Sequence, residues 1–369
     1  MKKRFCALML LLMLIFTQTF SLTSCGEKYE PVESTDEEKE TVINISFEGE
    51  KYEVPYELYR AFFLQLKGAV DGGNSELWTG AEKDKYIAMA DELIYQRIAE
   101  IYAVFHLCEK LDIDVYSGDF DDRVQNVIEV AVDGGTINGT SYEGFGGDYQ
   151  KYLDSLKKMN LNYSAQELLI RYQLAYEELA TYYMGSYTDD SIDANAKPGN
   201  IKYTKEDVKE FYYDTENSRK IIIVQLQDAY FTREKAQEKR DKIASLSDEK
   251  SVINYVGSLI GTPTVEVIGK HTYDKFYYSE LTNAAFSLNT SETSKLITLK
   301  TDVFDGYVIV YRLEPTENFF DSDYESILSS YLYNEFGKIV DSASVAIYDS
   351  ITPTDALKEL DRSKVSMGE

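Results

Sequence analysis

The strongest constraint on the fold is a long apolar stripe in the first third of the chain. Over residues 79–111, Ile87, Ile94, Ile98, Ile101, Phe105 and Cys108 recur, and from Ile94 onward the steps are four, three, four and three. Only a helix puts that series on one face. At 1.5 Å per residue the helix would run about 45–50 Å. A fold of alternating strand–helix units around a parallel sheet, as in a solute-binding protein, does not suit so long a helical first half.

Before the stripe, 41–47 reads as a strand from its β-branched content, Glu48-Gly49-Glu50 as a turn, and 51–54 as a short partner strand. Pro55 opens a helix carrying Leu58, Phe62 and Leu66. After the stripe, helices are predicted at 119–132 and 147–159. Ser164-Ala165-Gln166-Glu167 has the form of a capping box. It starts a helix with Leu168, Tyr172, Tyr176, Leu179 and Tyr183 on one side. The glycine-rich 133–148 lacks the preceding strand and the Lys-Ser/Thr of a phosphate loop, and reads as a surface loop. In the acidic stretch 112–122, Ser117 stands where a calcium loop needs Gly.

Residues 186–199 read as a polar linker, and Thr204 to Asp207 as the cap of a short helix reaching 213. Composition then shifts. Strands are predicted at 220–226, 264–268, 295–299 and 307–311, with helices at 232–244, 249–259 and 280–286. After Glu314 the pattern returns to helix through Phe320, Ile327, Leu328, Tyr331, Leu332, Phe336 and Ile339. Residues 344–348 are expected to be a closing strand paired with 42–45.

The N-terminus carries an address. Lys2, Lys3 and Arg4 precede an apolar run from Phe5 to Phe20, too short for a confident membrane span but shaped like a secretory signal. It ends in Leu22-Thr23-Ser24-Cys25-Gly26, which resembles the lipobox of bacterial lipoproteins. That resemblance implies cleavage before Cys25, lipid on Cys25, and a place at the extracytoplasmic face of the cell membrane. The acidic segment beyond it, to residue 40, is expected to be a flexible tether.

With Cys6 in the signal and Cys25 lipidated, Cys108 is alone, so no intramolecular disulfide is available. Neither His106 nor His271 has Cys or carboxylate neighbours at metal-ligand spacing, and no cofactor is expected. The net charge of −26 disfavours nucleic acid and anionic headgroups as partners. The 31 tyrosines suit either adaptable contact with extended peptides or the packing of helix faces.

The order of these parts resembles the SurA/PrsA group of extracytoplasmic foldases over most of the chain. Tyr59-Arg60-Ala61-Phe62-Phe63-Leu64, Lys110-Leu111-Asp112-Ile113-Asp114-Val115, residues 153–169 and residues 204–213 look like successive steps of the group's N-terminal domain, with Asp112 where Gly is usual. Lys220-Ile221-Ile222-Ile223-Val224, Ala284-Ala285-Phe286-Ser287-Leu288 and Gly306-Tyr307-Val308-Ile309-Val310 resemble scaffold parts of a parvulin-type prolyl isomerase.

The resemblance implies an α+β fold. It consists of a signal peptide at 1–24, a tether at 25–40, a mainly helical chaperone domain at 41–213 with a small strand pairing, and an inserted parvulin-like α+β domain at 214–315. A helix and strand returning to the chaperone domain come next at 316–350, then a tail at 351–369. It implies unfolded or exported polypeptides as partners. Both parvulin strand histidines are missing: the first position falls on Lys220 or Ile221 and the last on Val308. No catalytic residue is therefore assigned and weak or absent isomerase activity is expected, with an active isomerase or a non-catalytic envelope scaffold as the alternatives. Ile222, Phe286 and Val308 are the residues expected to contact an apolar or proline-containing segment.

Overall fold

The computed structural model describes residues 29–71, 76–137, 140–185, 199–260, 265–271, 279–300 and 304–366. Cys25, the signal segment and most of the 186–199 linker lie outside the described residues. The elements are α1 (Asp36–Lys39), β1 (Thr41–Phe47), β2 (Glu50–Pro55), α2 (Tyr56–Asp71), α3 (Glu76–Thr79), α4 (Lys83–Lys110), α5 (Gly118–Asp133), β3 (Gly135–Ile137), β4 (Thr140–Tyr142), α6 (Tyr149–Lys158) and α7 (Tyr163–Met184). Then come α8 (Lys205–Tyr213), β5 (Ser218–Gln227), α9 (Arg233–Ala244), α10 (Glu249–Ile260), β6 (Val265–Gly269), α11 (Ser279–Phe286), β7 (Ile297–Lys300), β8 (Asp305–Arg312), α12 (Glu317–Ser322), α13 (Tyr324–Tyr348), β9 (Ile351–Pro353) and α14 (Asp355–Glu359). Helices with small antiparallel sheets make an α+β fold. The chain divides into two compact units, one of 29–182 with 340–366, the other of 183–339.

In the first unit, β1 and β2 form a hairpin with Phe47 opposite Glu50. Glu48 (φ 49°) and Gly49 (φ 94°) are both left-handed, as a two-residue type I′ turn requires. His106 fastens the hairpin to α4: its Nδ1 lies 2.9 Å from the Tyr52 hydroxyl and its Nε2 3.1 Å from Glu48. The stripe forms the buried side of α4, with Ile94, Ile98, Ile101, Phe105 and Cys108 all buried.

The closing strand is β9, not 344–348. Ile43 pairs with Pro353 and Ile45 with Ile351, and the Thr354 N–H donates to Val42 O at 2.9 Å. Residues 344–348 continue α13 instead, because Ile347 extends the helical series of buried Phe336 and Val340. The segment read as a tail is core. Leu357 and Val365 are buried, and the buried Arg362 reaches Asp91 (3.2 Å), the Tyr59 hydroxyl (3.3 Å) and the carbonyls of Leu357 and Leu360.

The acidic segment before β1 is docked rather than free over its described part, 29–40. Thr35 and Glu38 form a capping box on α1. Glu38 also accepts from Arg60 at 2.6 Å, Ser34 donates to Glu57, and Tyr29 stacks on Tyr149 at 4.8 Å. Acids that read as solvated charge serve as caps and as the partner of a buried arginine.

Two local readings also change. The cap of α7 is Asn162, whose Oδ1 accepts from the Ala165 N–H at 3.0 Å, while Ser164 donates to Glu57 at 2.7 Å. The glycine-rich 133–148 holds the β3–β4 hairpin. A Cβ on Gly144 would fall 2.1 Å from the Gly134 nitrogen, so glycine there answers a close approach of backbones.

In the second unit the sheet order is β6-β5-β8-β7, all antiparallel. The division falls after Tyr182, so α8, α12 and most of α13 go with the sheet and not with the helical domain expected to end at 213. The reason is packing. Tyr212 of α8 lies 5.7 Å from Phe320, its hydroxyl accepts from the Thr316 N–H at 2.8 Å, and Lys209 meets Glu317 at 2.7 Å.

Two outcomes are expected. Arg362→Met leaves Asp91 buried without its cation, so urea unfolding should show a loss of about 3–5 kcal/mol. For Glu38, burial works against the charge, but the Thr35 backbone N–H and Arg60 outweigh it and hold the carboxyl below its usual range. Its contribution is therefore present above the unfolded value of about 4.3 and is lost as pH falls through the lower folded value. Amide exchange at Thr35 and Glu38 should rise below about pH 4 while β1 stays protected. Glu38→Gln should show the same local loss at neutral pH.

Candidate functional site

The central strand of the second unit, β5, carries Ile221-Ile222-Ile223-Val224, an unbroken apolar run that reads as a strand covered on both faces. Successive side chains point to opposite sides, so the run splits. Ile222, Val224 and Leu226 join Ile309, Tyr311 and Leu313 of β8 and its exit under α9 and α10, against Ala236, Ile243, Val252 and Val256. Ile221 and Ile223 join Val308 and Val310 on the other face under α11, against Leu281, Ala285 and Leu288.

This separates the residues expected to share a peptide contact. Val308 and Phe286 belong to the α11 face and Ile222 to the opposite one. Ile222 and Val308 are both 0% exposed, so neither presents surface to a ligand. Of the two candidates for the first parvulin histidine, only Ile221 shares a face with Val308. Lys220 points the other way, where its Nζ donates to Glu314 O at 3.1 Å and lies 4.5 Å from the Phe319 ring centroid. Burial pushes the Lys220 ammonium below its ordinary value. Ile221 and Val308, two positions that the resemblance assigns to imidazoles, are packed hydrocarbon. Each fully buried aliphatic side chain there contributes roughly 1.5–3 kcal/mol to stability and offers no proton to transfer.

Among the described residues, two buried cations lie at the end of this face where β5 starts and β8 stops. Arg219, two residues before Ile221, lays its guanidinium 4.5 Å from the Phe286 ring centroid. Arg312, opposite Ile221 in the register, donates from Nη1 to Leu288 O at 2.6 Å. Neither stands out in the sequence by residue type alone. Their place in the inward-facing series 219, 221, 223 and 308, 310, 312 is the signal that marks them.

His271 lies just after β6, and its backbone N–H donates to Asn334 Oδ1 at 2.9 Å. Among the described residues no cluster of three or more His, Cys, Asp or Glu is disposed to hold a metal, and no helix is long and apolar enough to cross a membrane. Tyr59, Tyr102, Tyr172, Tyr212 and Tyr311 are buried, whereas Tyr116 and Tyr230 are 62% and 74% exposed. Tyrosine thus packs the faces of helices and strands at some positions and stands exposed at others.

No protein-family model and no characterised protein matches the sequence. Among solved structures the chain is similar to the foldase protein PrsA of Streptococcus pneumoniae, at 15% identity and a TM-score of 0.27 over 78% of this chain and 88% of that one. It is also similar to PrsA of Bacillus subtilis, at 15% identity and 0.23 over 90% and 100%. A third is the foldase protein PrsA of Lactococcus lactis, at 14% identity and 0.24 over 89% and 100%.

Cys108 is buried, donates to Ala175 O at 3.6 Å, and burial pushes its thiol up to about 12. Iodoacetamide at pH 8 should leave Cys108 unmodified in the native protein and label it fully in urea, read by peptide mass mapping. Labelling at equal rates in both states would contradict this burial.

Proposed function

We propose that this chain is a lipid-anchored extracytoplasmic foldase that holds unfolded exported polypeptides without catalysing prolyl isomerisation. The observation that carries the reading is the architecture. A mainly helical unit, whose first and last strands share one sheet, is interrupted by an α+β unit. In that second unit the segments resembling parvulin parts come together: β5 pairs with β8, and α11 packs on their shared face. The Leu22-Thr23-Ser24-Cys25 series supports the anchor, with the lipid on Cys25.

The residues that fill the face leave catalysis without its polar groups. Isomerisation must cross an amide barrier of about 18–20 kcal/mol, and lowering it calls for a polar network against the reacting amide. Ile221 and Val308 supply none and are sealed by Leu281 and Leu288. Client contact then falls to exposed rings such as Tyr116 in the first unit and Tyr203, Tyr213 and Tyr230 in the second, whose flat amphipathic shape suits extended peptides.

The test uses the mature chain in two assays. Near-equimolar protein should suppress aggregation of a diluted, chemically unfolded substrate. A protease-coupled assay on a proline peptide should stay at the uncatalysed rate. Unchanged aggregation would overturn the holding role and favour a scaffold. A catalysed rate would overturn the inactive reading.

A further inference from the structure

Six arginines are buried among the described residues: Arg60, Arg97, Arg171, Arg219, Arg312 and Arg362. Four have a carboxylate in contact. Arg60 meets Glu38 at 2.6 Å, Arg97 meets Glu100 at 2.6 Å, Arg171 meets Asp121 at 2.7 Å and Glu167 at 2.9 Å, and Arg362 meets Asp91 at 3.2 Å. This is what burial demands, because a desolvated cation without an anion is costly.

Arg219 and Arg312 break the pattern. Each is 8% exposed, and neither has a carboxylate partner among the described residues. The acids nearest in effect are engaged elsewhere or act only through space. Glu292, which feels Arg312, accepts from the Asn289 N–H at 2.8 Å and from Asn289 Nδ2 at 3.1 Å. Glu216 and Asp214 influence Arg219 without an ion pair.

The two guanidiniums are held alike. In each, Nη1 donates to a backbone carbonyl, Ser218 O at 2.9 Å for Arg219 and Leu288 O at 2.6 Å for Arg312. That leaves the Nε–Nη2 edge of both without a hydrogen-bond partner among the described residues, and Arg219 Nε is a buried donor with none. This edge presents two parallel N–H groups, the fork that takes a carboxylate bidentately. Burial, and then the charge of Arg312, push the Arg219 guanidinium below its ordinary value. The Phe286 ring beside Arg219 supplies an apolar wall.

We infer that Arg219 and Arg312 form a carboxylate-binding site at the end of the α11 face, with Phe286 as its apolar wall. In a chain of net charge −26 whose other buried arginines each meet a carboxylate, this pair meets none among the described residues and suits a carboxylate from outside. Each fork matches a planar carboxylate through two parallel N–H···O bonds. Two sources share that chemistry: an Asp or Glu side chain within an extended peptide, and a free peptide C-terminus. The site does not require the foldase reading, since capture of an unfolded chain and capture of a carboxylate are read separately.

The experiment tracks arginine Nε–H resonances of the mature chain by NMR, with Arg219 and Arg312 assigned from Arg219→Lys and Arg312→Lys. Benzoate should shift both saturably and benzamide should not. Arg219→Lys keeps the charge and loses the fork, and should weaken benzoate binding about ten-fold. A capped peptide with one Glu, its Gln counterpart, and a neutral peptide with free or amidated C-terminus then separate the two sources. Shifts linear in benzoate and equal at the other arginines would overturn the site. So would unchanged affinity in Arg219→Lys, or tighter binding of inorganic phosphate than of any carboxylate. A saturable shift in a chain that fails to suppress aggregation would refute the foldase reading and leave this site standing.

Discussion

The pairing of Ile43 and Ile45 with Pro353 and Ile351 is the constraint on which the rest depends. Everything between β1 and β9 must leave and return to one sheet. The entropic cost of joining distant segments grows only slowly with their separation, so a three-residue strand suffices if residues 354–366 hold it in place. Leu357, Val365 and the Arg362–Asp91–Tyr59 cluster do so. Closure of the first unit thus rests on residues that look like a disposable end.

Buried arginine is the chain's recurrent structural device. Arg60, Arg97, Arg171 and Arg362 each join distant elements or adjacent turns of the first unit through a carboxylate, and an acidic composition supplies such partners in excess. The same side chain has different surroundings in the second unit, where Arg219 and Arg312 meet carbonyls and an aromatic ring instead. Acidity first reads as a property of the solvated surface. In the structure it is partly internal, and Glu38 in the supposed tether is one of its working members.

Much of the second unit was legible because its signals are local. Thr204 and Thr232 cap the helices their positions suggest, and the four strands and three helices of 218–312 fall within a few residues of their expected bounds. The candidate site was less legible. Adjacent isoleucines in an unbroken run say that both faces are covered, but not which helix covers which. Ile222 and Val308 therefore read as neighbours until the register put them on opposite sides of the sheet. Arg219 and Arg312 carry no signal in residue type alone, because a charged residue at a strand end ordinarily points to solvent.

The sequence by itself determined the long helix of the first unit, the caps at Thr204 and Thr232, and the order of strands and helices in the second, because periodicity and residue identity are properties of short stretches. Only the tertiary structure decided that 351–353 rather than 344–348 closes the sheet, that 29–40 is docked, and that two arginines share one buried corner. Those outcomes turn on partners far away in the chain: a backbone edge needing a third strand, a buried cation needing an anion, and a strand parity that shows itself only when the neighbouring strand is in place.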